Sequence, residues 1–334
     1  MSGSVAVIGG GVIGLSVARR AAQAGLSVTV HRTQDRGASW VAGGMLAPHS
    51  EGWPGEERLL RLGLESLRLW REGFLDGLDP AVVTARESLV VAVDRADVAD
   101  LRTVADWLSR QGHPVVWESN ARDVEPLLAQ GIRHGFRAPT ELAVDNRGVV
   151  DALARDCERL GVRWAAPVTD LSAADGDTAV IANGIDAPAL WPGLPVRPVK
   201  GEVLRLRWRK GCMPLLGRVV RARVHGRQVY LVPRADGVVV GATQYEHGRD
   251  TAPVVSGIRD LLEDACAVMP ALGEYEFAEC AAGLRPMTPD NLPIVRRLDE
   301  RTVVAAGHGR SGFLLAPWTA ERVVSELVPV GAQS

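Results

Sequence analysis

The 334-residue chain predicts an α/β protein of two domains. One is a Rossmann-like nucleotide-binding domain, discontinuous in sequence; the other is an α+β domain built on an antiparallel sheet. Three observations carry this. The first 32 residues read as strand, glycine turn, helix, strand, with Gly9-Gly10-Gly11-Val12-Ile13-Gly14 at the turn. Alternating strand and helix patterns return after residue 300. Between them lie four short β-rich runs separated by turn dipeptides.

Residues 4–8 are an apolar run, and Gly9 permits the tight turn that follows. Gly11 lets the backbone approach a pyrophosphate, and Gly14 lets helix and strand pack closely. The free N–H groups and dipole of that helix face the phosphates. A second apolar run covers 26–30, and at its tip, where an acid usually grips the ribose, stands Arg32. Leu, Arg and Glu at helical spacing make 56–75 an amphipathic helix, ended by Pro80. A strand over 87–93, a helix over 97–111 capped by Gly112 and a strand over 115–118 follow. Asp145-Asn146 caps a helix over 148–160 closed by Gly161; strands at 162–165 and 178–182 come next, the latter running into Asn183-Gly184. The β-rich runs are 201–208, 218–224, 228–232 and 238–242, with His225-Gly226 and Asp236-Gly237 as turns of an antiparallel meander. A helix over 259–268 stops at Pro270, a strand covers 302–306, and a helix over 315–327 carries Pro317 in its first turn. The nucleotide domain therefore takes 1–80, 141–195 and 281–334, and the second domain 81–140 and 196–280.

Composition excludes several classes of function. A net charge of −2 with both signs interspersed argues against a nucleic-acid or anionic-membrane surface. No apolar run approaches the ~20 residues that span a bilayer, and the N-terminus lacks a basic leader. Cys157, Cys212, Cys266 and Cys280 form no C-x-x-C and read as reduced thiols of a cytoplasmic protein. The seven histidines contain no H-x-x-x-H pair, so no metal site is expected.

Three further segments bear on the ligand. Residues 37–48 form a small-residue loop suited to close approach of a flat ring system. The strand ending at Gly184 offers a second backbone contact. Gly307-His308-Gly309-Arg310-Ser311-Gly312, between strand and helix, makes a site for developing negative charge. Tyr230 points to the opposite face from Val229 and Leu231; by itself it reads equally as a core aromatic. Arg285 by itself reads as a surface cation.

With these segments in view, the chain resembles the FAD-dependent D-amino-acid oxidase superfamily, and within it the glycine oxidases of thiamine biosynthesis. The resemblance rests on 7–14, Gly43-Gly44-Met45-Leu46, Pro198-Val199-Lys200-Gly201-Glu202, 230–234, Gly283-Leu284-Arg285-Pro286 and 306–317, in family order over nearly the whole chain. It implies FAD held by Gly9, Gly11, Val12, Ile13, Gly14, Arg32, Ser39, Gly43, Gly44, Met45, Val168 and Gly184, and by His308 to Leu314, that is His308, Gly309, Arg310, Ser311, Gly312, Phe313 and Leu314. It further implies a substrate carboxylate on Arg285 and Tyr230, with Arg310 near substrate and flavin. Hydride transfer to flavin N5 would then give glyoxylate or another 2-oxo acid, ammonia and hydrogen peroxide, the imine feeding the thiazole of thiamine. A sarcosine or D-amino-acid oxidase, or an FAD amino-acid dehydrogenase, is the alternative; a homo-oligomer is a further expectation.

Several residues depart from that pattern. Arg32 cannot accept a hydrogen bond from the ribose, which predicts weakened FAD affinity. Gln228 and Gln244 stand where glycine oxidases carry His and Met, making a more polar substrate pocket. Gly283 occupies the register of the flavin-linking Cys of related sarcosine oxidases, so FAD is expected to be non-covalent, with Cys280 the nearest thiol. His308 either ties its loop or touches flavin, Lys200 and Glu202 are expected to pair beside the cofactor, and Trp40 and Trp53 to pack.

Overall fold

The computed structural model describes residues 3–34 and 36–328. The chain opens with β1 (Ser4–Ile8), α1 (Val12–Gln23) and β2 (Ser27–His31), then the single-turn α2 (Ala38–Val41), β3 (Met45–Leu46) and α3 (Glu57–Leu69). Next come β4 (Val83–Ala85), β5 (Ser88–Ala92), α4 (Arg95–Arg110), β6 (Val116–Glu118), β7 (Gly135–Ala138) and β8 (Leu142–Val144). α5 (Asn146–Arg159), β9 (Arg163–Ala165), β10 (Thr178–Ile181) and α6 (Ala187–Leu190) follow, then β11 (Arg197–Arg207), β12 (Val219–Val224), β13 (Arg227–Arg234) and β14 (Gly237–Gly241). α7 (Val255–Val268), β15 (Glu276–Met287), β16 (Ile294–Arg297), β17 (Thr302–Ala306) and α8 (Gly312–Leu327) complete it. Among the described residues no helix is long and apolar enough to cross a membrane.

Six strands make the first sheet, in the order β16-β17-β10-β1-β2-β9. They are parallel except β16, which closes one edge antiparallel. Parallel strands covered by helices read as continuous apolar runs, which is why β1, β2, β10 and β17 were legible. α1, α5 and α8 supply Leu15, Leu153, Phe313 and Val323 to the core beneath Val5, Val30 and Val303.

The second sheet has eight strands in the order β15-β11-β14-β13-β12-β5-β7-β6, antiparallel except where β12 meets β5. β12, β13 and β14 form the expected meander, closed by the turns at His225-Gly226 and at 235–236. β11 does not continue it: it crosses over to lie between β14 and β15. α7 packs Leu261, Ala265 and Val268 against Leu204, Leu231 and Val240 on one face of this sheet, and the other face turns to the cavity described below.

Three expected helices differ, α7 in beginning at Val255 rather than at residue 259. The 56–75 helix ends at Leu69 and passes into a wide turn over Trp70–Phe74, where Gly73 takes φ +136. The last helix begins at Gly312, three residues earlier than expected, so Pro317 lies inside it rather than in its first turn. An interior proline leaves the carbonyl four residues back without its helical donor. Here the buried Trp70 donates its indole Nε1–H to Phe313 O at 3.0 Å and Leu314 O at 3.1 Å, and Ser66 Oγ accepts from Trp318 N at 3.2 Å. The wide turn and the proline thus answer one another. Trp70→Phe keeps the ring and removes the donor; it is expected to lower unfolding free energy by about 1–3 kcal/mol in urea titration.

Candidate active site

Glycine-rich segments at the C-terminal ends of β1, β10 and β17 open into a cavity of about 2310 Å³, floored by the second sheet. That exceeds the roughly 300–1,000 Å³ of a pocket for one drug-sized ligand. At one end lies the glycine turn. Gly9 has φ +127, and a Cβ there would overlap Ala182 O. A Cβ on Gly14 would overlap Gly9 O and lie 2.9 Å from Gly9 C, so this glycine sets the helix against the strand without itself lining the cavity. Gly11 is the N-cap of α1, and Val12 N–H donates to Ser39 Oγ at 3.0 Å. Gly9, Gly11, Val12, Ile13 and Ser39 all line this end, joined by Val168 and by Gly184 at φ +64. Arg32 also lines it, its guanidinium 3.9 Å over the Trp164 ring, a cation–π stack.

At the other end the sheet presents a flat floor. Arg285 on β15 and Tyr230 on β13 are separated by β11 and β14, which contribute Gly201 and Gly241. A Cβ at Gly201 would overlap the Arg285 guanidinium, and one at Gly241 would lie 2.6 Å from Tyr230 Cε2. The two glycines let both long side chains lie along the sheet. Arg285 Nη1 donates to Thr243 O at 3.1 Å. Burial pushes the Tyr230 phenol up, with Arg285 opposing, so it remains an O–H donor at neutral pH. Gly43, Gly44 and Met45 stand above, and a Cβ on Gly43 would come within 2.9 Å of Tyr230 Cε2.

Gln228 and Gln244 line the same cavity. So do His308, Gly309, Arg310, Gly312 and Phe313, whereas Ser311 and Leu314 lie behind the wall, 5% and 4% exposed. Arg310 sits at the rim and pairs with Glu56 at 3.2 Å. His308 ties its loop: its Nε2 lies 2.8 Å from Thr319 Oγ1, and burial pulls its imidazole down to about 3, hence neutral.

Some expectations shift. Lys200 and Glu202 do pair, 3.6 Å apart and fully buried, but neither lines the cavity. They alternate with Gly201 along β11 and so fall on the opposite sheet face, where Glu202 Oε1 accepts from Val254 N. Trp40 packs between Arg36 and Arg147; Trp53 is 46% exposed on a loop and does not pack as expected. Cys280 packs toward the apolar core rather than the cavity, and burial pushes its thiol up to about 11.

Among the cavity residues not foreseen are Arg221 and Glu51. Arg221 lies directly across from Tyr230 in register and bonds Glu51 Oε1 at 2.6 Å. Burial disfavours the Glu51 charge, but Arg221, Arg310 and Arg285 outweigh it and hold the carboxyl below its ordinary range. Arg221 was findable: it alternates with the apolar Val220, Ala222 and Val224, which marks the opposite face. Glu51 sits outside any regular element, where no periodicity applies.

A glycine cradle at a helix N-terminus, joined to a cavity bearing arginines and a tyrosine phenol, defines a dinucleotide-dependent oxidoreductase. Residues 4–326 match the family model of the FAD dependent oxidoreductases (DAO), and the chain belongs to that family. It is 35% identical to the bifunctional protein ThiO/ThiG of Synechocystis sp., matched over 97% of this chain, which spans 51% of the length of that relative. It is 30% identical to the glycine oxidase of Bacillus licheniformis, covering 96% of this chain and 92% of that protein. The crystal structure of glycine oxidase from Geobacillus kaustophilus superposes with a TM-score of 0.86 at 28% identity, covering 99% of this chain and 96% of that one. The expectations of fold, family and FAD are borne out.

Proposed function

We propose that this flavoenzyme oxidises glycine or another small amino acid to a 2-oxo acid and ammonia with release of hydrogen peroxide, supplying the imine for the thiazole of thiamine. The observation that carries the reading is the pair Arg285 and Tyr230, laid over Gly201 and Gly241 on the sheet face toward the cavity. The substrate carboxylate docks on the planar fork of Arg285 and accepts from the Tyr230 hydroxyl. Glu51 neutralises Arg221, so one carboxylate suffices to balance the floor. FAD is held by the glycine turn of α1, by Ser39, Gly43, Gly44, Met45, Val168 and Gly184, and by the Gly307–Gly312 turn. When bound, FAD supplies the hydride acceptor. Orientation of the α-carbon and placement of charge are then the tasks of the side chains. Gln228 and Gln244 widen the hydrogen-bonding capacity of the pocket toward polar small amino acids.

The test is anaerobic mixing with glycine, sarcosine, D-alanine and D-proline, followed by peroxide assay in air. Bleaching of the flavin absorbance by at least one of them, with peroxide on aeration, is expected. A flavin that none of them reduces overturns the reading, and reduction without peroxide identifies a dehydrogenase.

A further inference from the structure

We propose that Asn146 and Arg234 are positioning residues for FAD: they hold the carbonyls of Ser39, Trp40 and Gly43 from outside the cavity, so that the Gly43 and Gly44 N–H groups are left for the cavity. Residues 39–44 all line the cavity, and the carbonyls of Ser39, Trp40, Gly43 and Gly44 are engaged from outside it. Asn146 Nδ2 donates to Ser39 O at 2.9 Å and to Trp40 O at 2.8 Å, where Arg147 Nε adds a third bond at 3.2 Å. Arg234 Nη2 donates to Gly43 O at 2.8 Å, and Val144 N to Gly44 O at 2.8 Å.

Neither Asn146 nor Arg234 lines the cavity, so both act through the loop. Asn146 is fully buried at the first position of α5, and its Oδ1 accepts from Arg205 Nη2 at 3.0 Å and Arg234 Nη2 at 3.1 Å. Two guanidinium donors on one amide oxygen fix which way the amide faces, leaving its NH₂ for the loop. Arg234 is 7% exposed and also bonds Pro233 O at 2.9 Å. A peptide whose carbonyl accepts from a cation is polarised, which makes the Gly44 N–H a stronger donor toward a ligand. The network carries a cost, since Arg205 Nε and Arg234 Nε are buried without a hydrogen-bond partner among the described residues. Here its outputs converge on one stretch of cavity wall.

Asn146→Asp separates this role from bulk stability. The substitution is isosteric and still accepts from Arg205 and Arg234, now as ion pairs, while the two donors to the loop are replaced by a carboxylate oxygen that repels Ser39 O and Trp40 O. Apoprotein is titrated with FAD and the dissociation constant read from flavin fluorescence quenching, alongside apoprotein melting temperature and circular dichroism. For a folded Asn146→Asp the dissociation constant is expected to rise about tenfold or more, the scale of one or two lost hydrogen bonds. Arg234→Lys, which keeps charge but loses the fork, should give a smaller rise. An FAD dissociation constant within twofold of the parent in folded Asn146→Asp overturns the proposal. If Asn146→Asp fails to fold, an unchanged constant in Arg234→Lys overturns it, and a raised one supports it. No amino acid enters the measurement, so its failure leaves the proposed reaction untouched.

Discussion

Arg285→Ala is expected to lower kcat/KM for the amino-acid substrate by on the order of 10²- to 10³-fold while leaving FAD affinity at the parent value. Removing one partner of a desolvated, hydrogen-bonded charge pair costs about 2–5 kcal/mol, and each 1.4 kcal/mol is a factor of ten. The loss falls on both KM and kcat, because in the proposed site the same fork would bind the carboxylate and aim the α-carbon. Arg285→Lys recovers part of the binding as a point charge without the planar geometry. Gly201→Ala reaches the same end indirectly, since its Cβ would overlap the guanidinium and push it off the sheet. Steady-state kinetics of the three variants, with flavin content measured in parallel, checks this. An Arg285→Ala enzyme within fivefold of parent kcat/KM removes Arg285 from the site.

The second large effect is expected at Gly14→Ala: purified protein with a small fraction of the parent flavin content. The added Cβ would overlap Gly9 O and sit 2.9 Å from Gly9 C, and backbone cannot rotate aside as a side chain can. Overpacking of this kind costs about 1–3 kcal/mol, and here it is relieved by lifting α1 off β1. The N–H groups of the α1 first turn then leave the pyrophosphate, and ~3 kcal/mol corresponds to more than a hundredfold in affinity. Gly11→Ala is the control. Its Cβ would meet only Ser39 Oγ, at 3.1 Å, so the apoprotein should melt near the parent temperature. If Gly14→Ala retains full flavin, the close-packing role is wrong.

What could be read in advance divides along physical lines. β1, α1, β2 and β10 announce themselves because each is a local pattern, apolar run or helical period, bounded by glycine. The meander was legible from turn dipeptides, but the position of β11 between β14 and β15 is a long-range pairing with no local mark. β15, which carries Arg285, was missed as a strand. Glu276–Met287 contains no Val, Ile or Thr, so its extended form comes from pairing with β11 rather than from propensity. The Arg285 expectation rests on resemblance, and what lets its side chain lie along the sheet, the glycine at Gly201 two strands from Tyr230, emerges only when the sheet is assembled. Pro317 misled for a related reason: its place inside α8 depends on a tryptophan donor far away in sequence.

The place of β17 in the first sheet governs when this molecule becomes a molecule. It lies between β10 and the edge strand, and α8 behind it covers α1. A chain emerging from the ribosome N-terminus first shows its phosphate turn early, yet the wall that closes around it, β17 and α8, is made only after residue 300. The second sheet has all its strands once β15 is made, ahead of β16, β17 and α8, so the half that begins first is the one that finishes last. The nascent chain must hold the apolar edge of β10 open until β17 is made, and FAD meets a receptive groove only afterwards.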